Sequence, residues 1–320
     1  MARLVSLGSA LQDIYLIDQD DFVAGLLDGK SIFGSLTIGS KVDIDKISFE
    51  VGGGGTNAAV SFARHGHQSI FLGNIGHDPA GEAILALLDE EGIDSSYVTF
   101  SKKQKTGISV ILLDVKTGQR TVLSHKGAST KFDHLDHHDL DLIQPDWLYV
   151  TSLRGDFDTL TRFFQKAKEL DVKIMFNPGQ SELANTKALA RLLPLVDILL
   201  VNKSEASQIV PGQTLLELLI RLTNYLPSVI ITDGSMGAIA TDGRDTYRCG
   251  IYQDLPVKDT NGAGDAFGSG FLAHFAAGYS FRQSLIFAAA NSTSVVTHLG
   301  AKAGILTGEE SLHSMPIQKL

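Results

Sequence analysis

From residue 146 onward, short apolar runs and helix-length stretches take turns along the chain. Residues 147–151, 172–176, 197–201 and 229–232 read as strands, and 157–170, 187–193 and 203–209 read as helices. Parallel strands need a crossover between them, so this alternation implies an α/β fold with a mainly parallel sheet covered by helices. Right-handed crossovers place every strand's C-terminal end along one edge. Asp13, Gly53, Asn177, Asn202, Thr232 and the turn at 259–265 can converge there, where open α/β sheets bind ligands.

The N-terminal part is less regular. Residues 4–8 read as a buried strand ending in a glycine turn, with Asp13 just beyond its end. Residues 32–51 alternate loosely through Leu36, Ile38, Val42, Ile44, Ile47 and Phe49, with no convincing crossover helix before them. Residues 107–113 and 120–125 read as two strands joined by a glycine-containing loop at 114–118. Together these segments suggest a small antiparallel sheet apart from the main core. Between them lie a helix at 58–65 stopped by Gly66, a strand at 69–73 and a helix at 82–91. The stretch Gly25-Leu26-Leu27-Asp28-Gly29-Lys30-Ser31 has the outline of a phosphate-binding P-loop. Three residues separate its glycines where four are needed, and no strand precedes it, so it reads as a surface loop.

Composition removes several function classes. A formal net charge of −9 disfavours general binding to nucleic acid or anionic membrane. No apolar run is long enough to span a bilayer, and no signal pattern opens the sequence, so a cytoplasmic protein is expected. The single cysteine, Cys249, allows no intrachain disulfide and reads as a strand residue. The mixed run 133–139, rich in Asp and His, lacks a partner cluster at metal-ligand spacing and reads as a solvated helix start.

The stretch with most chemistry is residues 257–267. Phe267, Phe271 and Phe275 recur at i, i+4 and i+8, the period of a buried helix face, so Gly262-Ala263-Gly264 forms the turn into a helix. The free N–H groups and dipole of a helix start suit an anion, and two glycines allow close approach. Asp265 falls in the first helical turn, either as a dipole partner or as a general base beside an oxyanion hole. Four glycines, 52–55, precede Asn57, whose amide both donates and accepts and so suits a polyol. Asn202 and Glu205 lie at i and i+3 directly after a strand, a spacing that suits a capping box.

Asp259-Thr260-Asn261-Gly262-Ala263-Gly264-Asp265 resembles the D-T-x-G-A-G-D signature of the ribokinase-like (PfkB) carbohydrate kinases. The glycine run with Asn57, the segment Gly76-His77-Asp78-Pro79-Ala80-Gly81 and the sequence Asn202-Lys203-Ser204-Glu205 resemble further motifs of that family, in the expected order from about Leu4 to Gly304. The resemblance implies one ribokinase-like domain over 1–320. Segments at about 14–51 and 105–126 would be inserted in it as a β-sheet lid that often makes a homodimer contact. It implies transfer of the γ-phosphate of ATP to a hydroxymethyl group of a small sugar, with Asp265 as base and the Gly262, Ala263 and Gly264 amides as anion hole. It assigns Asp13, Gly53 and Asn57 to the sugar or nucleoside substrate, and Asn202, Thr232, Gly234, Gly237, Gly264 and Asn291 to the nucleotide side. Glu205 and Asn202 would organise water around Mg2+, and Asp259, with the loop at 297–301, would hold a monovalent cation such as K+.

Two positions depart from the family pattern. Asn261 stands where threonine is usual, at a place where backbone amides act. The loop Thr151-Ser152-Leu153-Arg154-Gly155 lacks the sugar-contacting glutamate of ribokinase itself, so ribose is not specified. A nucleoside kinase, a sugar-phosphate kinase with Arg154 as phosphate clamp, and a catalytically silent nucleotide- or sugar-binding regulator stand as alternatives. Neither nucleic acid nor membrane is an expected partner.

Overall fold

The computed structural model describes residues 1–18, 23–27, 31–35, 41, 43–114, 120–132, 134–252 and 255–320. The chain opens with β1 (Arg3–Leu7), β2 (Leu11–Asp18), β3 (Val23–Leu27), β4 (Ser31–Ser35) and β5 (Lys46–Gly52). Helix α1 (Gly54–Arg64) follows at once, then β6 (Gln68–Leu72), β7 (Asn74–Gly76), α2 (Pro79–Glu90), β8 (Thr99–Ser101), β9 (Gly107–Asp114) and β10 (Arg120–His125). A regular series comes next: α3 (Asp139–Ile143), β11 (Trp147–Val150), α4 (Phe157–Glu169), β12 (Lys173–Phe176), α5 (Gln180–Leu183), α6 (Thr186–Leu192), β13 (Ile198–Asn202), α7 (Lys203–Ile209), α8 (Leu215–Leu222) and β14 (Ser228–Thr232). The chain ends with β15 (Ala238–Thr241), β16 (Thr246–Cys249), α9 (Ala263–Ala276), α10 (Phe281–Val296) and β17 (Ile317–Lys319).

Nine strands form the main sheet, in the order β17-β16-β15-β14-β13-β12-β11-β1-β6. From β6 to β14 all neighbours are parallel; β14 to β17 pair antiparallel. The strand period of two sorts side chains to both faces. Leu148, Val150, Leu199 and Val201 pack on one side with Phe163 and Phe164 of α4. Tyr149, Ile198 and Leu200 pack on the other with Phe62 of α1, Phe271 of α9 and Leu285 of α10. Both faces are therefore dry, as the apolar strand runs require.

The second sheet has the order β10-β9-β2-β5. It differs from the expected antiparallel sheet in two ways. β2 stands beside β9 at its centre, and the two run parallel. Asp13 is therefore a strand residue of this sheet, opposite Ser109, and not a loop residue beyond β1. The strand register sets it there: Leu11 and Tyr15 are buried on the same face of the strand.

The expected surface loop at 25–31 is also corrected. Its ends belong to the antiparallel pair β3–β4, which forms a two-stranded sheet of its own. Residues 28–30 of that stretch lie outside the described residues, as do Leu36, Ile38, Val42, Asp133 and most of the 114–118 loop. The run at 134–139 does lead into a helix, α3, with Asp139 and Asp141 in its first turn. Asp136, His137 and His138 cluster there, the first and last exposed and His137 partly buried. Among the described residues no helix is long and apolar enough to cross a membrane.

Helix α1 begins at Gly54, inside the glycine run, earlier than the apolar pattern indicates. The strand β1 ends where this helix starts, and the two backbones touch: a Cβ on Gly55 would lie 2.8 Å from the Gly8 carbonyl carbon and 2.7 Å from the Phe71 ring. Only glycine permits that crossing. The helix start is thereby brought to the C-terminal edge of the main sheet.

Candidate active site

Gly262 caps α9 with φ 77, a left-handed conformation natural to glycine. Ala266 closes the first turn on the Gly262 carbonyl at 2.8 Å, while the Ala263 amide reaches back to Thr260 at 3.4 Å. The amides of Gly264 and Asp265 fall among the helix-start groups that have no partner within the helix. Nothing lies within 4 Å of the space a Gly264 side chain would fill, so the helix start is open on that side. Asp265 stands in that first turn, with part of its surface open.

Asp265 is held from across the edge. Asn57 Nδ2 donates to Asp265 Oδ2 at 2.8 Å. The Asn57 amide is itself fixed by a lysine: Lys302 Nζ donates to Asn57 Oδ1 at 2.5 Å, to Thr56 Oγ1 at 3.1 Å and to the Val51 carbonyl at 2.6 Å. All three ammonium protons are thus used. Lys302 is 8% exposed. Burial pushes its pKa down to about 7, opposed by the carboxylates of Asp13, Asp265 and Glu50 and reinforced by Arg64. Burial pushes the Asp265 carboxyl up, opposed by the Asn57 hydrogen bond and the Lys302 charge. Nothing in the sequence marked Lys302, because a single lysine in a loop carries no spacing signal.

Asp13 lies on the same side and is 5% exposed. Burial raises its pKa to about 6; the Lys302 charge and a hydrogen bond from Ser109 pull the other way. Gly53, with φ 104, lies between it and α1, against the Ser9 carbonyl. Asp13, Gly53, Asn57 and Asp265 are therefore brought together with Lys302.

On the other side of the α9 start lies a cleft. Thr232, Gly234 and Gly237 form one wall, Ala263 and Gly264 the end, and Ser292 and Thr293 the far wall. Asn291 does not line it. This side chain is fully buried, donating to the Ala266 carbonyl at 2.7 Å and accepting from the Leu306 amide at 2.8 Å. The residues of α10 that meet the cleft are Ala289, Ser292 and Thr293, while the Asn291 side chain ties α9 to the segment at Leu306.

Asn202 and Glu205 form a capping box on α7: Asn202 Oδ1 accepts from the Glu205 amide at 2.9 Å, and Glu205 Oε2 accepts from the Asn202 amide at 2.8 Å. Glu205 nonetheless feels Asp265. Burial raises its pKa, the Asn202 bonds oppose this, and the Asp265 charge adds to it.

Asp259 is almost wholly buried, and four groups meet its carboxylate. Oδ2 accepts from Tyr15 Oη at 2.9 Å and from the Gly300 amide at 3.3 Å. Oδ1 accepts from the Asn261 amide at 2.8 Å and lies 3.4 Å from Arg120 Nη1, which also bonds Thr260. Asn261, the departure from the usual threonine, donates through Nδ2 to Tyr15 Oη at 3.2 Å. Tyr15 belongs to β2 and Arg120 to β10, so the second sheet grips the turn before α9; sequence patterns gave no sign of either residue.

Known proteins show the family to which the chain belongs. The family model described as pfkB family carbohydrate kinase matches residues 1–307. The ribokinase of Haemophilus influenzae is 26% identical over 270 residues, covering 82% of this chain and 86% of that one. The adenosine kinase of Saccharomyces cerevisiae is 28% identical over 318 residues, covering 89% and 92%. The structure of Arabidopsis thaliana ribokinase complexed with ribose and ATP superposes with a TM-score of 0.79 at 24% identity, covering 94% of each chain. The chain thus belongs to the pfkB family of carbohydrate kinases, phosphotransferases with an alcohol group as acceptor.

Proposed function

We propose that this kinase transfers the γ-phosphate of ATP to a hydroxymethyl group of a small sugar, with Asp265 as the general base. One observation carries this reading. The Asp265 carboxylate stands in the first turn of α9, between the Thr232–Gly237 cleft and the group formed by Asp13, Asn57 and Lys302. Nucleotide on one side and acceptor on the other would meet at that carboxylate. A base with a raised pKa gains driving force for taking the hydroxyl proton, while the Asn57 bond keeps it ionised and aimed. The Gly262, Ala263 and Gly264 amides at the start of α9 would face the charge that develops on the transferred phosphoryl group.

Two ions need separate treatment. Glu205 uses Oε2 for its cap, and among the described residues Oε1 has no hydrogen-bond partner, so one oxygen could hold a water of Mg2+, with Asn202 beside it. When bound, Mg2+ would neutralise phosphate charge. Asp259 fits a monovalent cation poorly. Arg120 already supplies the positive charge, and Tyr15, Gly300 and Asn261 occupy the carboxylate, so K+ has no part in this proposal.

The second sheet is inferred to be a lid over the acceptor and a contact between copies. Its strands β5 and β10 expose Ile47, Phe49, Val122 and Leu123. Sedimentation should give a dimer that dissociates on Phe49→Glu; a wild-type monomer at micromolar concentration would remove the contact. A nucleoside acceptor, as for the adenosine kinase relative, is the second reading. An ADP-release screen over free sugars, sugar phosphates and nucleosides decides between acceptors, and no release with any of them would favour a silent regulator.

Asp265→Asn should lower kcat by about 10²–10⁴ with ATP affinity nearly unchanged, because the amide keeps the shape but cannot take a proton. Near-wild-type turnover would remove Asp265 from the mechanism. Asp13 yields a stability test. A carboxyl whose pKa rises on folding stabilises the fold at low pH, and that contribution is lost as pH rises through the folded value. Moving from 3.8 to about 6 makes the ionised group cost about 3 kcal/mol. Urea unfolding should therefore find Asp13→Asn more stable than wild type by about 1–3 kcal/mol at pH 7.5, the gap narrowing towards pH 5. Equal or lower stability at pH 7.5 would contradict a charge kept for function.

A further inference from the structure

The turn before α9 is fastened by an arginine at the place where the family resemblance puts a monovalent cation. Asp259 is 1% exposed. Its Oδ1 meets Asn261 N at 2.8 Å and Arg120 Nη1 at 3.4 Å, and its Oδ2 meets Tyr15 Oη at 2.9 Å and Gly300 N at 3.3 Å. An ionised carboxylate offers about four lone-pair sites, so these four donors fill it. A cation such as K+ is held by oxygen atoms that turn lone pairs towards it. Here every one of these neighbours turns a proton towards the carboxylate instead. Burial, then the Asp259 charge, push the Tyr15 hydroxyl pKa up, so it stays a donor. The loop at 297–301 likewise presents an N–H, that of Gly300, whose φ of 81 suits glycine.

The positive charge comes from the second sheet. Arg120 opens β10, the edge strand of that sheet, opposite Leu113 of β9. Its side chain is 25% exposed, that of Asp259 is 0% exposed, and Arg120 Nη1 also donates to Thr260 Oγ1. Among the described residues no other cation pairs with Asp259. A buried carboxylate that loses its partner is strongly destabilised, so the guanidinium decides whether this one is tolerated. The same carboxylate sets the turn. Through the Asn261 amide it fixes the residue before Gly262, whose left-handed cap starts α9. Gly262 is also pressed on the 297–301 loop: a Cβ there would lie 2.4 Å from Ala301 Cβ. Whatever neutralises Asp259 therefore positions the amides of the α9 start and, one turn on, Asp265.

We propose that Arg120 is a positioning residue that takes the place of a monovalent cation, neutralising Asp259 and setting the turn into α9, so that phosphoryl transfer by this chain needs neither K+ nor Na+. The assignment goes beyond the kinase reading, and only its rate arm rests on that reading. Removing the guanidinium would leave a buried carboxylate beside a space of side-chain size, with the Thr260 hydroxyl oxygen freed. A small cation can enter such a space, so Arg120→Ala should acquire the cation dependence that wild type lacks. Arg120 meets both partners through Nη1 alone, so the point charge of a lysine can replace it.

The test compares wild type, Arg120→Ala and Arg120→Lys in KCl, NaCl and choline chloride at equal ionic strength. It reads thermal melting, and ADP release with ribose, fructose and adenosine as acceptors. Wild type should turn over within about 2-fold in all three salts and show no melting shift between them. In choline, Arg120→Ala should lose about 10- to 100-fold in kcat with little change in the KM for ATP, and KCl should restore about 10-fold. The same variant should melt higher in KCl than in choline. Wild type activated about 10-fold or more by KCl, or stabilised by it over choline, would overturn the assignment; so would Arg120→Ala that matches wild type in choline. Should Arg120→Ala fold in none of the salts, Arg120→Lys decides: a variant folded and active in choline upholds the charge, and one unfolded or inactive there overturns it. Wild-type melting blind to the cation, with no ADP release from any acceptor, would uphold Arg120 and overturn the kinase reading; ADP release that requires K+ would do the reverse.

Discussion

The site depends on one buried ammonium group. Lys302 bonds the end of β5 through the Val51 carbonyl and the start of α1 through Thr56 and Asn57. Through the Asn57 amide it also orients the Asp265 carboxylate at the start of α9. An amide can point either way in a pocket, and here the lysine decides: its protons claim Oδ1, so Nδ2 must face Asp265. Hydrogen bonds of a charged group are worth about 1.5–3 kcal/mol each, yet taking an ammonium out of water costs several kcal/mol. The arrangement is thus close to neutral for stability, and its effect is to place and charge a carboxylate.

A second junction supports the first. Tyr15 and Arg120 bind Asp259 and Thr260, so β2 and β10 reach the same turn that Lys302 approaches from the far side. The second sheet and the 259–265 turn are one hydrogen-bonded unit. Asp13 lies on β2 between these junctions, which explains why a strand residue and not a flexible loop presents that carboxylate.

Much of this was legible from period and spacing. The parallel strands from β11 to β14 announce themselves because both faces are dry and the runs are apolar. The turn into α9 was legible because glycine, helix period and an acid occur together. Three things were hidden for physical reasons. Residues 11–18 lie where one strand ends and another begins, and only pairing with β9 reveals Asp13 as part of a sheet. Lys302, Arg120 and Tyr15 act through contacts with residues more than 100 positions away, which leave no local pattern. Only the family resemblance assigns Asn291 to the nucleotide side, and its buried amide ties α9 to the segment at Leu306, a role that no local pattern announces.

The most direct test is the pH profile of kcat/KM for Lys302→Met. The charge that bears on Asp265 is that of Lys302, with Asn57 bonding it directly, and the Asp265 charge acts in turn on Glu205 and Tyr149. Loss of the lysine charge removes an influence that lowers the Asp265 pKa, so the acid limb should move to higher pH. Lys302→Arg, which keeps the charge, should leave the limb near its wild-type position. A uniform fall in rate with the acid limb unmoved in Lys302→Met would contradict the account, reducing Lys302 to a packing residue.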